Sequence, residues 1–134
     1  MKAKIWSAVA CCGGVLLLAV AVSWPASARW REEFANVDPV IRAWYESRNM
    51  TEATMKRLGW HWRSCCDHGD VVHTQFDHRD VFGKGEWYYM AEGDWKRIPE
   101  DTVQYGQSPP KNEPVLFVYY GKEVCFFPPD AGGI

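Results

Sequence analysis

Six consecutive apolar residues, Val115-Leu116-Phe117-Val118-Tyr119-Tyr120, stand a short step before a second β-type run, Glu123–Phe127. Successive side chains of a strand point to opposite faces, so a strand that is apolar at every position has to be covered on both. The chain must therefore supply two layers of apolar material around this one segment. Rings are the main resource, with eight Trp, six Tyr and six Phe in 134 residues. The N-terminal helices described below, with Trp60 and Trp62, are the material expected to cover the second face.

The first residues read as an export signal. Lys2 and Lys4 precede an apolar run from Ile5 to Val22, and Ser23-Trp24-Pro25 leads into Ala26-Ser27-Ala28, a small-residue cleavage pattern. Residues 1–28 are expected to be a signal peptide, with an uncleaved inner-membrane anchor over residues 5–22 as the alternative. The mature chain, residues 29–134, then holds 106 of the 134 residues, enough for one small exported domain. It keeps 13 of the 15 basic residues and all 17 acidic ones, for a formal charge of −4. That balance argues against nucleic acid, which needs a basic face, and leaves no polybasic patch for an anionic membrane. The expected location is periplasmic or extracellular, with no membrane attachment after cleavage.

Cys11 and Cys12 leave with the signal segment, so Cys65, Cys66 and Cys125 remain. Three is an odd number in an exported chain. One disulfide plus one thiol satisfies the count, and so does a disulfide-linked dimer through the odd cysteine.

Asp38-Pro39 reads as an N-cap followed by proline at the first helical position, opening a short helix through Val40, Ile41, Trp44 and Tyr45. Val40, Ile41 and Trp44 are expected on one face. Asn49-Met50-Thr51-Glu52 has the form of a capping box for a second helix that ends at Leu58, with Gly59 just beyond it. From Val71 onward the pattern changes to five β-type runs: Val71–Phe76, Glu86–Ala91, Asp94–Ile98, Val115–Tyr120 and Glu123–Phe127. Glu92-Gly93 is expected to turn one hairpin, and Gly121-Lys122 a second of type II′. Pro128-Pro129 ends the last run. Together these predict an α+β domain: a small antiparallel β-sheet or partly open barrel of about five strands, with short N-terminal helices packed on it.

The chain resembles a family of small exported proteobacterial proteins marked by a Cys-Cys-Asp motif and a C-terminal Cys-Phe-x-Pro-Pro motif. The resemblance is carried by Ser64-Cys65-Cys66-Asp67, Gly85-Glu86-Trp87-Tyr88, Gly93-Asp94-Trp95 with Ile98-Pro99, Pro114-Val115-Leu116 and Cys125-Phe126-Phe127-Pro128-Pro129, in that order over residues 44–129. It implies an envelope location and a cysteine-stapled β domain, and supplies no catalytic residues. Members of the family carry a further cysteine where this chain has Val71 and another where it has Phe117. A second bridge lost here would leave those two residues on neighbouring strands, and the remaining bridge would join Cys65 or Cys66 to Cys125. Such a bridge closes a loop of some 60 residues, worth about 4 kcal/mol in the loop-entropy account.

Four side-chain groups compete as functional sites. His68, Asp70, His73 and His78 are competent zinc ligands, but His73 and His78 would face opposite sides of one strand, and the residues read more simply as a polar turn and strand edge. Trp87 and Trp95 could form a surface for a glycan or peptide, although most tryptophans are needed as core. Cys65-Cys66 could support thiol redox chemistry, yet adjacent cysteines lack the C-x-x-C arrangement that tunes a thiolate. Ser64 has no nucleophile-elbow frame, and there is no glycine-rich phosphate loop, so no cofactor is expected. The sequence thus points first to a non-catalytic binding or structural domain with an envelope protein or glycan as partner. A metal- or glycan-binding domain comes second and a thiol-redox protein third.

Overall fold

The computed structural model describes residues 36–131; the signal peptide expected over residues 1–28 lies outside the described residues. Six strands form two antiparallel three-stranded sheets. They are β1 (Asp70–Val71), β2 (Phe76–Val81), β3 (Lys84–Ala91), β4 (Asp94–Arg97), β5 (Val115–Tyr119) and β6 (Lys122–Phe127). The first sheet has the order β1-β5-β6 and the second β2-β3-β4. Helices α1 (Pro39–Glu46), α2 (Glu52–Leu58) and α3 (Cys65–His68) precede them, and single 3-10 turns lie at Glu100–Thr102 and Pro110–Asn112. The α+β class is as expected, and the strands divide into two sheets.

The division occurs inside the run read as one strand, Val71–Phe76. Asp70 and Val71 pair with Val118 and Phe117 of β5, whereas Phe76 pairs with Tyr89 of β3. One stretch of chain therefore supplies an edge to each sheet. Val71 and Phe117 are direct register partners, a position in which Cα atoms lie about 4.5–5.5 Å apart. This is the neighbourhood that the lost-bridge expectation required.

The hairpins are closed by a residue and a glycine that both have positive φ: Phe82-Gly83 (53° and 78°), Glu92-Gly93 (52° and 87°) and Tyr120-Gly121 (48° and 70°). Two positive φ values define the type I′ turn, whose twist matches that of the flanking strands. Gly121-Lys122 is thus corrected to Tyr120-Gly121, because Tyr119 pairs directly with Lys122 and places glycine second in the turn.

Both faces of β5 are covered, as its sequence demands. Val115, Phe117, Cys125 and Phe127 belong to a core that α1, α2 and the Trp60–Trp62 segment close, with Trp44, Tyr45, Met55 and Leu58 against it. Leu116 and Phe126 point the other way, into a core shared with Tyr89, Ile98, Phe76 and Trp87 of the second sheet. A bulge at Phe117/Val118 sets Phe117 opposite Cys125 but Val118 opposite Glu123, so Val124 is the extra residue. Strict alternation would have placed Glu123 on the helix-covered side with Cys125 and Phe127. The bulge instead turns it toward the second sheet.

Asp38 caps α1 as expected, whereas the Asn49–Glu52 box is corrected: Thr51 and not Asn49 caps α2, and Glu52 is its first helical residue. The Asp38 carboxylate accepts from the Val40 amide at 2.8 Å, and the Thr51 hydroxyl accepts from the Thr54 amide at 3.0 Å. Thr51 and the fully buried Thr54 both donate to the Asp101 carbonyl (2.6 and 2.9 Å), tying α2 to the 3-10 turn beyond the second sheet. Gly59 ends α2 with φ 69°. Val40 departs from the expected face: it is 78% exposed, while Trp44 and Tyr45 reach the core. One turn of helix, α3, sets Cys65 toward Cys125, and their disulfide spans Cα atoms 6.0 Å apart. Gly69 ends that turn where a Cβ would meet the Cys65 carbonyl at 2.5 Å and Phe117 and Val124 at 3.1 Å, so only glycine lets α3 lie this close to β5 and β6.

Candidate functional site

The two sheets part where β1 hands over to β2, and an open groove of about 530 Å³ lies there, lined by Tyr45, Val71, Val72, His73, Thr74, Phe76, Pro110, Glu113, Pro114 and Val115. Its volume is in the range of ligand sites, roughly 300–1,000 Å³. The valines, Phe76 and the prolines give it apolar walls, while Tyr45, His73, Thr74 and Glu113 bring polar groups to them. Thr74 is committed to the fold, because its hydroxyl donates to the Met90 carbonyl at 2.7 Å. Burial raises the Tyr45 hydroxyl above its ordinary range, and the negative charge of Glu113 adds to the effect. Tyr45 is accordingly a neutral hydrogen-bonding group at physiological pH. Glu113 is exposed and enters no ion pair among the described residues.

Of the sequence-predicted candidates only His73 lines this groove, and the others are dispersed over the domain. Cys65 is in the disulfide, and Cys66 is free and half-buried. Burial, with Asp67 and Glu46 nearby, pushes the Cys66 thiol up to about 11, so little of it is thiolate at neutral pH. His68 lies 4.4 Å from the Trp62 ring and 5.5 Å from Tyr119; His78 lies 4.7 Å from Trp87, beside Gly85. Asp70 is exposed on β1 and His73 lines the groove. No cluster of three or more His, Cys, Asp or Glu suited to a metal occurs among the described residues.

Trp87 and Trp95 lie on opposite faces of the second sheet. Trp87 packs inward, 5.3 Å from Phe126, and its indole N–H is buried without a hydrogen-bond partner among the described residues. Trp95 is 39% exposed on the outer face, where the Arg79 guanidinium sits 5.2 Å from its ring and 4.3 Å from that of Tyr88. The more continuous aromatic surface is elsewhere. Trp60 and Trp62 stack at 4.5 Å, Tyr119 meets both edge-on, and Tyr120 stands 85% exposed at the β5–β6 turn, 4.4 Å from Tyr119.

A second feature escaped the sequence reading. Glu123, 5% exposed, accepts from the Tyr89 hydroxyl at 2.6 Å and pairs with Lys96 at 2.6 Å. Burial alone raises its carboxyl, but the hydrogen bonds from Lys96 and Tyr89 outweigh that and hold it below the usual range. Burial and the bond to Glu123 in turn push the Tyr89 hydroxyl up to about 12. Each of these groups is paired within the fold, so the trio joins the sheets and offers nothing to a substrate.

Neither Tyr45 nor Glu113 stood out in the sequence. The Val71–Phe76 run and the proline-rich connection at Ser108–Asn112 were both visible, but only strand register brings them together. Comparison with protein-family models, with curated proteins and with solved structures finds no match in any of the three.

Proposed function

We propose that the chain is an exported domain of the periplasm or cell envelope that works by binding a partner in the groove beside the Val71–Phe76 segment that links its two sheets, and that it does so without catalysis. The observation that carries this reading is the groove itself: about 530 Å³, lined by polar and apolar groups in similar measure, with His73 and Glu113 exposed in it. The Cys65–Cys125 disulfide supports export, because such bonds persist in oxidising compartments. No helix among the described residues is long and apolar enough to cross a membrane. The resemblance to small exported proteobacterial proteins supports the same location. The raised Cys66 thiol speaks against a redox role.

Glycan binding is the second reading, favoured by the stacked Trp60–Trp62 pair beside the exposed Tyr120.

The test is site-specific photo-crosslinking in a bacterial host that exports the chain from its own leader. A photoreactive residue replaces His73 in the groove or, as control, Lys56 on the exposed side of α2. An adduct from position 73 and none from position 56, on a periplasmic chain beginning at Arg29, is expected. No adduct from the groove, or equal adducts from both positions, contradicts the proposal.

A further inference from the structure

The charge in the groove indicates what it is built to hold. Its lining brings one carboxylate, Glu113, and neither lysine nor arginine. Glu113 is exposed and enters no ion pair among the described residues. Lys111, two residues before it, does not line the groove. Burial raises the Tyr45 hydroxyl, and the charges that act on it, Glu113 first and Cys66 second, raise it further. The field sensed at this wall of the groove is therefore negative. The same sign extends behind it: burial raises the Cys66 thiol, Asp67 and Glu46 add to that, and Arg42 alone opposes them. Arg42 is itself paired with Glu46 at 2.9 Å.

Size and wall chemistry narrow the class of occupant. About 530 Å³ suits a compact organic molecule and is far more than a bare ion needs. Val71, Val72 and Phe76 on one side and Pro110, Pro114 and Val115 on the other offer apolar surface. The two prolines bring no amide donor, and the Thr74 hydroxyl is committed to the Met90 carbonyl at 2.7 Å. An anionic ligand would meet the charge of Glu113 with no lysine or arginine in the lining to offset it. An ammonium group donates hydrogen bonds, and a carboxylate accepts them.

We propose that the groove binds a small organic amine in its protonated form, whose ammonium group pairs with Glu113 and whose apolar body lies against Val71, Val72 and Phe76. This deepens the binding reading above and rests on it. The occupant is a free, low-molecular-weight cation, recognised by its positive charge and its apolar body together.

The probes are phenethylamine, its neutral counterpart phenethyl alcohol and the anion hydrocinnamate, which share one apolar body and differ in charge. Each is titrated into the chain, produced with its own N-terminal segment in a bacterial host, and followed by amide chemical shifts. Phenethylamine is expected to bind saturably with a Kd of about 1 mM or below, and at least about tenfold more tightly than hydrocinnamate. The shifts are expected at Val71, Val72, His73 and Glu113, with β4 unchanged. Glu113→Gln, a change at an exposed side chain, is expected to weaken the amine by about three- to tenfold and to leave the alcohol as it was. Glu52→Gln removes the same charge from the exposed side of α2 and is expected to change neither.

Equal affinity for the amine and the anion, shifts outside the groove, or equal effects of Glu113→Gln and Glu52→Gln overturn the proposal. So does tighter binding of a capped Ala-Lys-Ala peptide than of phenethylamine, since the cation is then a lysine of another protein. A groove adduct in cells combined with no amine binding rejects the amine and leaves the binding reading standing. Absence of the groove adduct removes both.

Discussion

The two sheets are built from similar residues and secured in different ways. The first is buried through β5 and β6, covered on one side by helices and on the other by the second sheet, and pinned by Cys65–Cys125. The second has a covered inner face, but its outer face is open and β4 is exposed at all four positions. On that open face Arg79 lies over Tyr88 and Trp95, while the Tyr88 hydroxyl donates to Glu86 at 2.8 Å. Across the join, Phe126 and Leu116 meet Tyr89 and Ile98, and Glu123 holds Tyr89 and Lys96. The difference teaches that rigidity is concentrated in the first sheet, and that the second is stable to the extent that it is fastened to it. The groove lies beside the segment that links them, walled by Val71–Phe76 on one side and by Tyr45 and the Pro110–Val115 segment on the other.

The strongest way to break this contrast is to remove the staple. Cys65→Ala with Cys125→Ala is expected to cost about 3–4 kcal/mol, a large share of the roughly 5–15 kcal/mol typical of a small domain. Denaturant unfolding checks it, and a loss below about 1 kcal/mol would show that the covered sheet holds without its bridge.

Next in size is the fastening at Glu123. Glu123→Gln leaves Lys96 and Tyr89 with a weakened acceptor and is expected to cost about 1–3 kcal/mol, with faster amide exchange in β4 than in β5. The effect has a defined pH dependence. A native carboxyl held below its ordinary range contributes fully above the unfolded-state value of about 4.3 and loses its contribution as pH falls through the depressed native value. The difference between the parent and Glu123→Gln should therefore be constant near neutrality and shrink below about pH 4. A gap that widens on acidification would mean that the carboxylate is not what the second sheet depends on.

The register between β1 and β5 can be sharpened by restoring the bridge that the family resemblance suggests. Val71→Cys with Phe117→Cys is expected to form a second disulfide on oxidation, seen as the loss of two hydrogens in the intact mass. Removing the buried Phe117 ring costs about 3–5 kcal/mol, and the new loop, shortened to about 15 residues by the Cys65–Cys125 bridge, returns about 3 kcal/mol, so a net loss of up to about 2 kcal/mol is expected. Failure to oxidise would place the two residues out of register.

The smallest effect belongs to the open face. Trp95→Ala removes one ring from beside Arg79 and is expected to cost no more than about 1 kcal/mol, leaving the crosslinked adduct from position 73 in the groove unchanged. A loss of binding from this substitution would move the functional surface to the outer face.

Much of this contrast was legible in the sequence. The two-sided apolar run at Val115–Tyr120 required cover on both faces, Asp38-Pro39 marked the start of α1 and Gly59 the end of α2, while the start of α2 was placed two residues early, at Asn49 instead of Thr51. Strand β2 was hidden because Asp77, Arg79 and Asp80 read as a polar turn, although Asp77 and Arg79 lie on an exposed sheet face and pair with each other at 2.7 Å. Phe82-Gly83 was overlooked for a physical reason: an aromatic at positive φ is an uncommon partner for glycine in a turn. Glu123 could not be found by counting in twos, since the bulge at Val124 reverses the alternation there. The groove was invisible for the same kind of reason, because it depends on which residue of β1 faces which residue of β5.

Peptide mapping of the chain, produced with its own N-terminal segment in a bacterial host, by mass spectrometry, non-reduced and then reduced, tests most directly the claim that a stapled first sheet anchors everything else. The expected result is a Cys65–Cys125 peptide pair with Cys66 as a free thiol in a monomeric chain. A Cys66–Cys125 pair, a fully reduced chain or a dimer linked through cysteine would contradict the account, because α3 and the wall of the groove would then have no fixed position against β5 and β6.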